Sequence, residues 1–207
     1  AITGQLEVTL LNTRSTEGYK NVITSVLQDI KHLNALSNKL LLLAQTSTEE
    51  NEKKMKPLRI DELIWQSKEE FLKHSSSFNI DIDLDHTLDD EAKLTIRGDE
   101  QLIRTALNNI IENGCKYSTD HTIKILISSS KNGLTIDFKD KGIGIPQEDL
   151  PNIFEPFYRG SNTKSIKGHG VGLSMVRGIV RLHKGTIQLS SEEGSGTRVT
   201  VRFPAIA

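Results

Sequence analysis

Two asparagines four residues apart, Asn109 and Asn113, with Lys116 three residues further on, place carboxamides and an ammonium group along one side of any helix that spans them. At about 100° per residue they continue the stripe that Leu102 and Ala106 begin, so the amides lie on an inward surface. A buried amide without partners is unfavourable by roughly 1–3 kcal/mol, and something polar must meet it. One solution is a structural network to a neighbouring loop. The other is an amide oxygen that joins phosphate oxygens and water in an octahedral shell around Mg²⁺, with Lys116 supplying a point charge to phosphate.

Further along, Asp140 follows the alternating pair Ile136 and Phe138, and the chain then turns on Gly142 and Gly144 before Ile145. A lone carboxylate at a strand end can accept from an exocyclic amine and so select adenine over guanine; Asp-x-Gly is also an everyday turn. The run Gly168-His169-Gly170-Val171-Gly172-Leu173 leads into a helical pattern, and backbone amides at a helix N-terminus favour an anion. It lacks the Gly-Lys-Ser/Thr of a Walker loop. Between the two glycine segments, Phe154 and Phe157 followed by Arg159 and the polar run 160–167 read as a lid with an aromatic foot, or as an ordinary surface loop. His169 meets either phosphate or solvent.

The elements that must position these groups fall into two regions. Ile2, Leu6, Leu10 and Leu11 mark a short helix over 2–13, and Ile23, Val26, Leu27, Ile30, Leu33, Leu40 and Leu41 mark a longer one over 19–44, joined by a turn at 14–18. Such a hairpin cannot bury both faces alone, so a homodimer is expected. The polar stretch ending at Pro57 reads as a linker, giving a helical-hairpin domain over 1–50, a linker over 51–57 and a second domain over 58–207.

Beyond Pro57, period-two runs at 80–84, 94–96, 123–127, 134–138, 187–189 and 199–203 predict strands. Turn signals at Lys131-Asn132-Gly133 and at 192–196 make much of the sheet antiparallel. Helices over 61–75, 99–116 and 172–183 must cover its apolar face, which gives an α+β fold, a helical hairpin followed by a two-layer α/β sandwich with a mixed sheet.

With 36% apolar and 26% charged residues in 207, the chain has the composition of a globular protein, and a net charge of -1 offers no basic field for nucleic acid. The single Cys115 fits a reducing compartment and a core-filling role. The run Leu40–Leu43 is far too short to span a bilayer, so these residues are expected to be cytoplasmic. The helical pattern is already under way at Ala1, as though cut from a longer chain.

Taken in order, these motifs resemble those of the catalytic ATP-binding domain of bacterial sensor histidine kinases, the Bergerat nucleotide fold. Asn109 to Ser118 is similar to the family's N box, Asp140 to Ile145 to its first glycine box, Phe154 to Phe157 to its F box, and Gly168 to Gly172 to its second glycine box. The resemblance implies ATP and Mg²⁺ as ligands. It implies that Asn113 ligates the metal, Asp140 takes the adenine amine, Thr197 supports the base, and Lys116, Tyr117 and Arg159 meet phosphate or ribose. Asn109 would orient the metal shell or the phosphate, which makes Asn109, Lys116 and Arg159 the catalytic group. Gly142, Gly144, Ile145, Phe157, Gly168, His169, Gly170, Val171, Gly172 and Leu173 would complete the nucleotide contacts.

The hairpin then resembles the dimerisation and phosphotransfer domain, with one departure. None of His32, His74, His86, His121, His169 and His183 stands in the family's His-Glu/Asp-x-x-x-Pro context. The chain is therefore expected to bind ATP without phosphorylating itself, and the intact protein, anchored in the inner membrane, to pass phosphate from a His to an Asp of a response-regulator receiver domain. ATP-hydrolysing relatives of the superfamily place a Glu where Asn109 stands; a non-catalytic signalling module is the remaining alternative.

Overall fold

The computed structural model describes residues 2–11, 13, 15–27, 30, 55–74, 77–85, 91–163, 166 and 168–205. The chain divides into two compact units, Ala1–Ala44 and Gln45–Ala207. In the first, α1 covers Ile2–Leu11 and α2 covers residues 16–27. The expected turn at 14–18 is shorter than its sequence implied. Ser15 caps α2 by accepting the Gly18 N–H on its hydroxyl at 3.1 Å, so the helix begins at Thr16. Val22 and Val26 are buried, whereas Leu10, Leu11, Ile23 and Leu27 face outward. The expected continuation of α2 to residue 44, with Leu33, Leu40 and Leu41, and the linker residues 51–54 lie outside the described residues.

The second unit runs β1 (Lys56–Arg59), α3 (Ile60–His74), β2 (Asn79–Leu84), β3 (Thr95–Gly98), α4 (Glu100–Tyr117), β4 (Ser118–Ser130), β5 (Gly133–Gly142), α5 (Gly172–Leu182), β6 (Thr186–Glu192) and β7 (Gly196–Phe203). Five strands form one mixed sheet in the order β2-β4-β5-β7-β6, in which only the β2–β4 pair is parallel. A separate antiparallel pair, β1 with β3, holds Pro57 opposite Arg97, so the residue expected to close the linker is already inside a strand. Pro57 is tolerated there because the ribbon has only two strands, each with a free edge.

Alternation explains the sheet's covered face. Ile125 lies opposite Phe138, Ile127 opposite Ile136, and Phe138 and Ile136 in turn opposite Val199 and Val201. All are buried, each worth roughly 1.5–3 kcal/mol when removed from water. The helices supply the other half of this core with Ile60, Leu63 and Ile64 of α3, Leu102, Ile103, Ala106, Ile110 and Ile111 of α4, and Met175, Val176, Ile179 and Val180 of α5. Cys115 is fully buried among them, and burial with the nearby Asp140 and Asp120 charges pushes its thiol up to about 12, so it is inert filler.

Two bonds to His183 lock the far ends of α4 and α5 together. Its Nδ1 donates to the Ile179 carbonyl at 2.7 Å and its Nε2 accepts the Asp99 N–H at 3.0 Å, which requires the neutral ring. Asp99 in turn caps α4 by accepting the Leu102 N–H on Oδ1 at 3.0 Å. Burial holds the His183 pKa below its usual 6.5, against the opposing Ile179 carbonyl and Asp99 charge. A depressed folded-state pKa gives stability that is full above the unfolded value and is lost as pH falls through it toward the folded one. The melting temperature is therefore expected to drop between pH 7.5 and 5.5. A His183→Gln variant should show a flatter profile over that interval; parallel profiles in calorimetric melts would remove His183 from the explanation.

Candidate nucleotide site

Alternation along β5 turns Leu134, Ile136 and Phe138 inward and brings Asp140 to the same side at the strand's end. Its carboxylate is buried, and Oδ1 accepts both the Gly142 N–H at 2.8 Å and the Thr197 N–H at 3.1 Å. Burial raises the pKa of Asp140 above its ordinary value, and the two backbone donors pull it partly back. Gly144 belongs to the same turn with φ +65, and a β-carbon there would lie 2.0 Å from the Glu192 carbonyl oxygen, a close approach only glycine permits.

The β6–β7 hairpin closes behind this turn. Ser191 accepts the Ile145 N–H at 2.9 Å, donates to the Gly196 carbonyl at 2.7 Å and lies 2.9 Å from the Thr197 hydroxyl. Gly194 N–H reaches the Ile143 carbonyl at 2.8 Å. Thr197, Asp140, Gly142, Gly144 and Ile145 are thereby gathered into one bonded unit. Ser191 was not among the residues singled out from the sequence, where it reads as one polar position of an edge strand. Its signal was register, since Ser191 pairs directly with Thr197 across the turn.

A second group converges from α4. A β-carbon built on Gly172, the first residue of α5, would lie 3.1 Å from Asn109 Oδ1 and 3.7 Å from Asn113 Nδ2. One built on Gly168 would lie 3.3 Å from Lys116 Nζ and 3.6 Å from the Tyr117 hydroxyl, with Lys116 also over the Tyr117 ring at 5.1 Å. The glycine segment thus passes close over the polar stripe of α4, and any larger side chain would intrude on it. Asn109 is buried and donates through Nδ2 to the Thr105 carbonyl at 2.7 Å, so half of this amide is satisfied within its own helix; Asn113 is half-buried. The N-cap position of α5, Val171, makes no side-chain capping bond, which leaves the first amides of the helix for another acceptor. The Val171 side chain is buried in the core, so only its backbone is offered to a ligand. Leu173 and Ile145 are half-buried and His169 is exposed.

In the loop between the glycine segments, the two phenylalanines of the expected aromatic foot face different ways. Phe157 has φ +67 and is 60% exposed, because its N–H is committed to the Gly170 carbonyl at 2.9 Å and the backbone turns the ring outward. Phe154 is the half-buried ring, and the Arg177 guanidinium lies 5.5 Å from its centroid. Arg159 donates to the Thr163 carbonyl at 2.6 Å and to that of Ile166, closing the loop on itself. Its charge still acts on Tyr117: burial raises the Tyr117 pKa, Arg159 lowers it and Glu112 raises it. Lys164, Ser165 and Lys167 of the expected lid lie outside the described residues.

These donors suit a nucleotide triphosphate. The buried acceptor Asp140 stands near the end of β5 and Lys116 on the last turn of α4, and the glycine segment passes so close over α4 at Gly168 and Gly172 that side chains there would crowd its polar stripe. Neutral amides beside a lysine are a donor set compatible with magnesium, which keeps several waters and accepts few protein ligands. Among the described residues, no group of three or more His, Cys, Asp or Glu is arranged to hold a metal by itself, and no helix is long and apolar enough to cross a membrane.

A family model described as histidine kinase-, DNA gyrase B-, and HSP90-like ATPase matches residues 98–207. The chain is 29% identical over 205 residues to the sensor-like histidine kinase SenX3 of Mycobacterium tuberculosis, covering 97% of this chain and 48% of the relative. It is 28% identical over 206 residues to the phosphate regulon sensor protein PhoR of Pseudomonas aeruginosa, covering 98% and 46%. The chain thus spans about half the length of these curated relatives. The solved structure of the Acinetobacter baumannii histidine kinase AdeS shares the fold, with a TM-score of 0.76 at 20% identity over 100% of this chain and 94% of that one.

Proposed function

We propose that this chain, which belongs to the family of histidine kinase-, DNA gyrase B- and HSP90-like ATPases and is the ATP-binding catalytic portion of a sensor histidine kinase, presents the γ-phosphoryl group of ATP to a histidine. The observation that carries this reading is Asp140. Both backbone donors fall on Oδ1, so Oδ2 is the oxygen left to accept the adenine amine. Thr197 and Ser191 hold the base-binding turn in register. Gly168–Gly172 passes over the phosphates, with Lys116 and Tyr117 beneath it and Arg159 to one side.

Asn113, oriented beside Asn109, is the proposed protein ligand for Mg²⁺. When bound, that ion neutralises charge on the phosphate oxygens. Transfer itself needs little covalent chemistry from the protein. An imidazole nitrogen forms a bond to the γ-phosphorus as the bond to the bridging oxygen breaks, and ADP carries the electron pair away. Lys116 and Arg159 are positioned to spread the charge that develops. Asn109 is neutral and partly committed to Thr105, so it cannot serve as a general base for water, which favours transfer over hydrolysis.

No histidine of these 207 residues stands in the acceptor context described above, so the acceptor is placed on a segment other than these. The receiving partner of the whole protein is a response-regulator receiver domain, and α1 and α2 with their exposed Leu10, Leu11, Ile23 and Leu27 are the proposed homodimer surface. A cytoplasmic location for these residues, with a membrane anchor elsewhere in the protein, is part of the same proposal.

The test is calorimetric titration with a non-hydrolysable ATP analogue, with Mg²⁺ and with EDTA. The parent chain should bind about tenfold or more weakly in EDTA, whereas Asn113→Ala should bind weakly and equally in both. Absence of binding by the folded parent chain would refute the proposal.

A further inference from the structure

The loop after the first glycine segment is organised by a carboxylate that no step above uses. Asp149 is buried, at 5% exposure, yet takes three donors: Oδ1 accepts the Tyr158 hydroxyl at 2.5 Å, and Oδ2 accepts the Ser161 N–H at 2.8 Å and the Ser161 hydroxyl at 2.9 Å. The two gripped residues straddle Arg159. A β-carbon on Gly160 would lie 3.4 Å from Asp149 Oδ2, so the chain passes tightly over the carboxylate between its two bonds. The next residue along is held as well, since Asn162 Nδ2 donates to the Gly144 carbonyl at 3.1 Å, inside the turn that carries Asp140.

We infer that Asp149 is a positioning residue for the triphosphate, acting through Arg159: by fixing residues 158 and 161 it sets where the Arg159 guanidinium stands relative to the phosphates. This rests on the nucleotide reading above and deepens it. Arg159 is exposed, and its guanidinium donates to the Thr163 and Ile166 carbonyls of its own loop, which tie it to the loop and not to the sheet. Its backbone on either side is anchored, by the one carboxylate. The carboxyl group is correspondingly held in its ionised form below the usual range, chiefly by the Tyr158 hydroxyl and then by the Ser161 amide.

Titration of the whole chain with adenosine, ADP and a non-hydrolysable ATP analogue, in Mg²⁺, separates this role from a general structural one. Adenosine reports on Asp140 and its turn, whereas the ATP-over-ADP preference reports on groups facing the terminal phosphate. Asp149→Asn should lower that preference about tenfold and leave adenosine affinity within about twofold of the parent. In an Arg159→Ala background the same substitution should have no further effect on the preference. An unchanged preference in D149N, or additive losses in the double variant, would overturn the inference while leaving the site intact. Loss of all three ligands by the parent would overturn both. Should D149N fail to fold, the Tyr158→Phe and Ser161→Ala pair, which removes the two hydroxyl donors and keeps the backbone bond, carries the same expectation and the same refutation.

Discussion

Replacing Asp140 by asparagine is expected to abolish adenine recognition while leaving the protein at least as stable as before. Asparagine can keep its Oδ1 on the Gly142 and Thr197 amides, so the turn survives. What changes is the other arm, where an acceptor becomes an NH₂ donor that faces the donor amine of adenine. A site built to hydrogen-bond one group and left with an unpaired one discriminates strongly, and the loss in affinity for ATP analogues should be about 10²–10³-fold. Guanine presents an oxygen at that position, so the preference for ATP over GTP should shrink or invert.

The stability half of the prediction follows from the raised pKa of Asp140. A carboxyl whose folded-state pKa lies above its unfolded value contributes stability that is fully present below the unfolded pKa and lost as pH rises through the folded one. At pH 7 the ionised group therefore opposes folding, and the amide removes that opposition. The variant should melt no lower than the parent at pH 7, with the gap between them closing as the solution is acidified toward the ordinary carboxylate range. If the variant instead melts well below the parent at pH 7, its loss of binding reports unfolding rather than recognition.

How far the sequence anticipated this site depends on whether each residue acts through local pattern or through distant register. Asp140 was legible because three inward residues at period two, Leu134, Ile136 and Phe138, put the next inward position on a carboxylate. The polar stripe of α4 was legible for the same reason at period 3.6, and its boundaries agree with the Asp99 cap to within a residue. Ser191, Asn162 and Asp149 were not, because each bonds to a backbone group or side chain 5–46 residues away through contacts that only the closed hairpin and the folded loop create. Of the β1–β3 ribbon, the alternation at 94–96 marked β3, whereas β1 carried no signal, since Lys-Pro-Leu-Arg does not alternate and a proline argues against a strand. Which of the two phenylalanines of the aromatic foot would turn inward was not legible, because hydrophobicity says where a ring would be stable, while a left-handed backbone and a committed N–H at Phe157 decide where it can point.

The same distinction between local and distant constraint yields the largest expected loss of stability, and it comes from two glycines of one hairpin. Gly194 and Gly196 both have positive φ, +77 and +102, and look interchangeable in the sequence. A β-carbon on Gly194 would meet nothing within 4 Å, so Gly194→Ala incurs only the left-handed backbone penalty of about 1–2 kcal/mol. On Gly196 it would lie 2.2 Å from the Asp140 carbonyl oxygen and 3.0 Å from the Lys141 Cα. These are backbone atoms of a central strand, and they cannot rotate away as a side chain would. Gly196→Ala must therefore part β7 from β5 at the point where Thr197 N–H reaches the Asp140 carboxylate. The expected loss is about 3–5 kcal/mol, from backbone conformation, overpacking and the strained bonds together. Denaturant melts of the two variants should differ by at least about 1 kcal/mol, with nucleotide affinity falling in G196A and nearly unchanged in G194A. Equal losses in the two would mean that the hairpin yields freely, and that the register holding Thr197 against Asp140 is not what fixes the carboxylate proposed to bind the base.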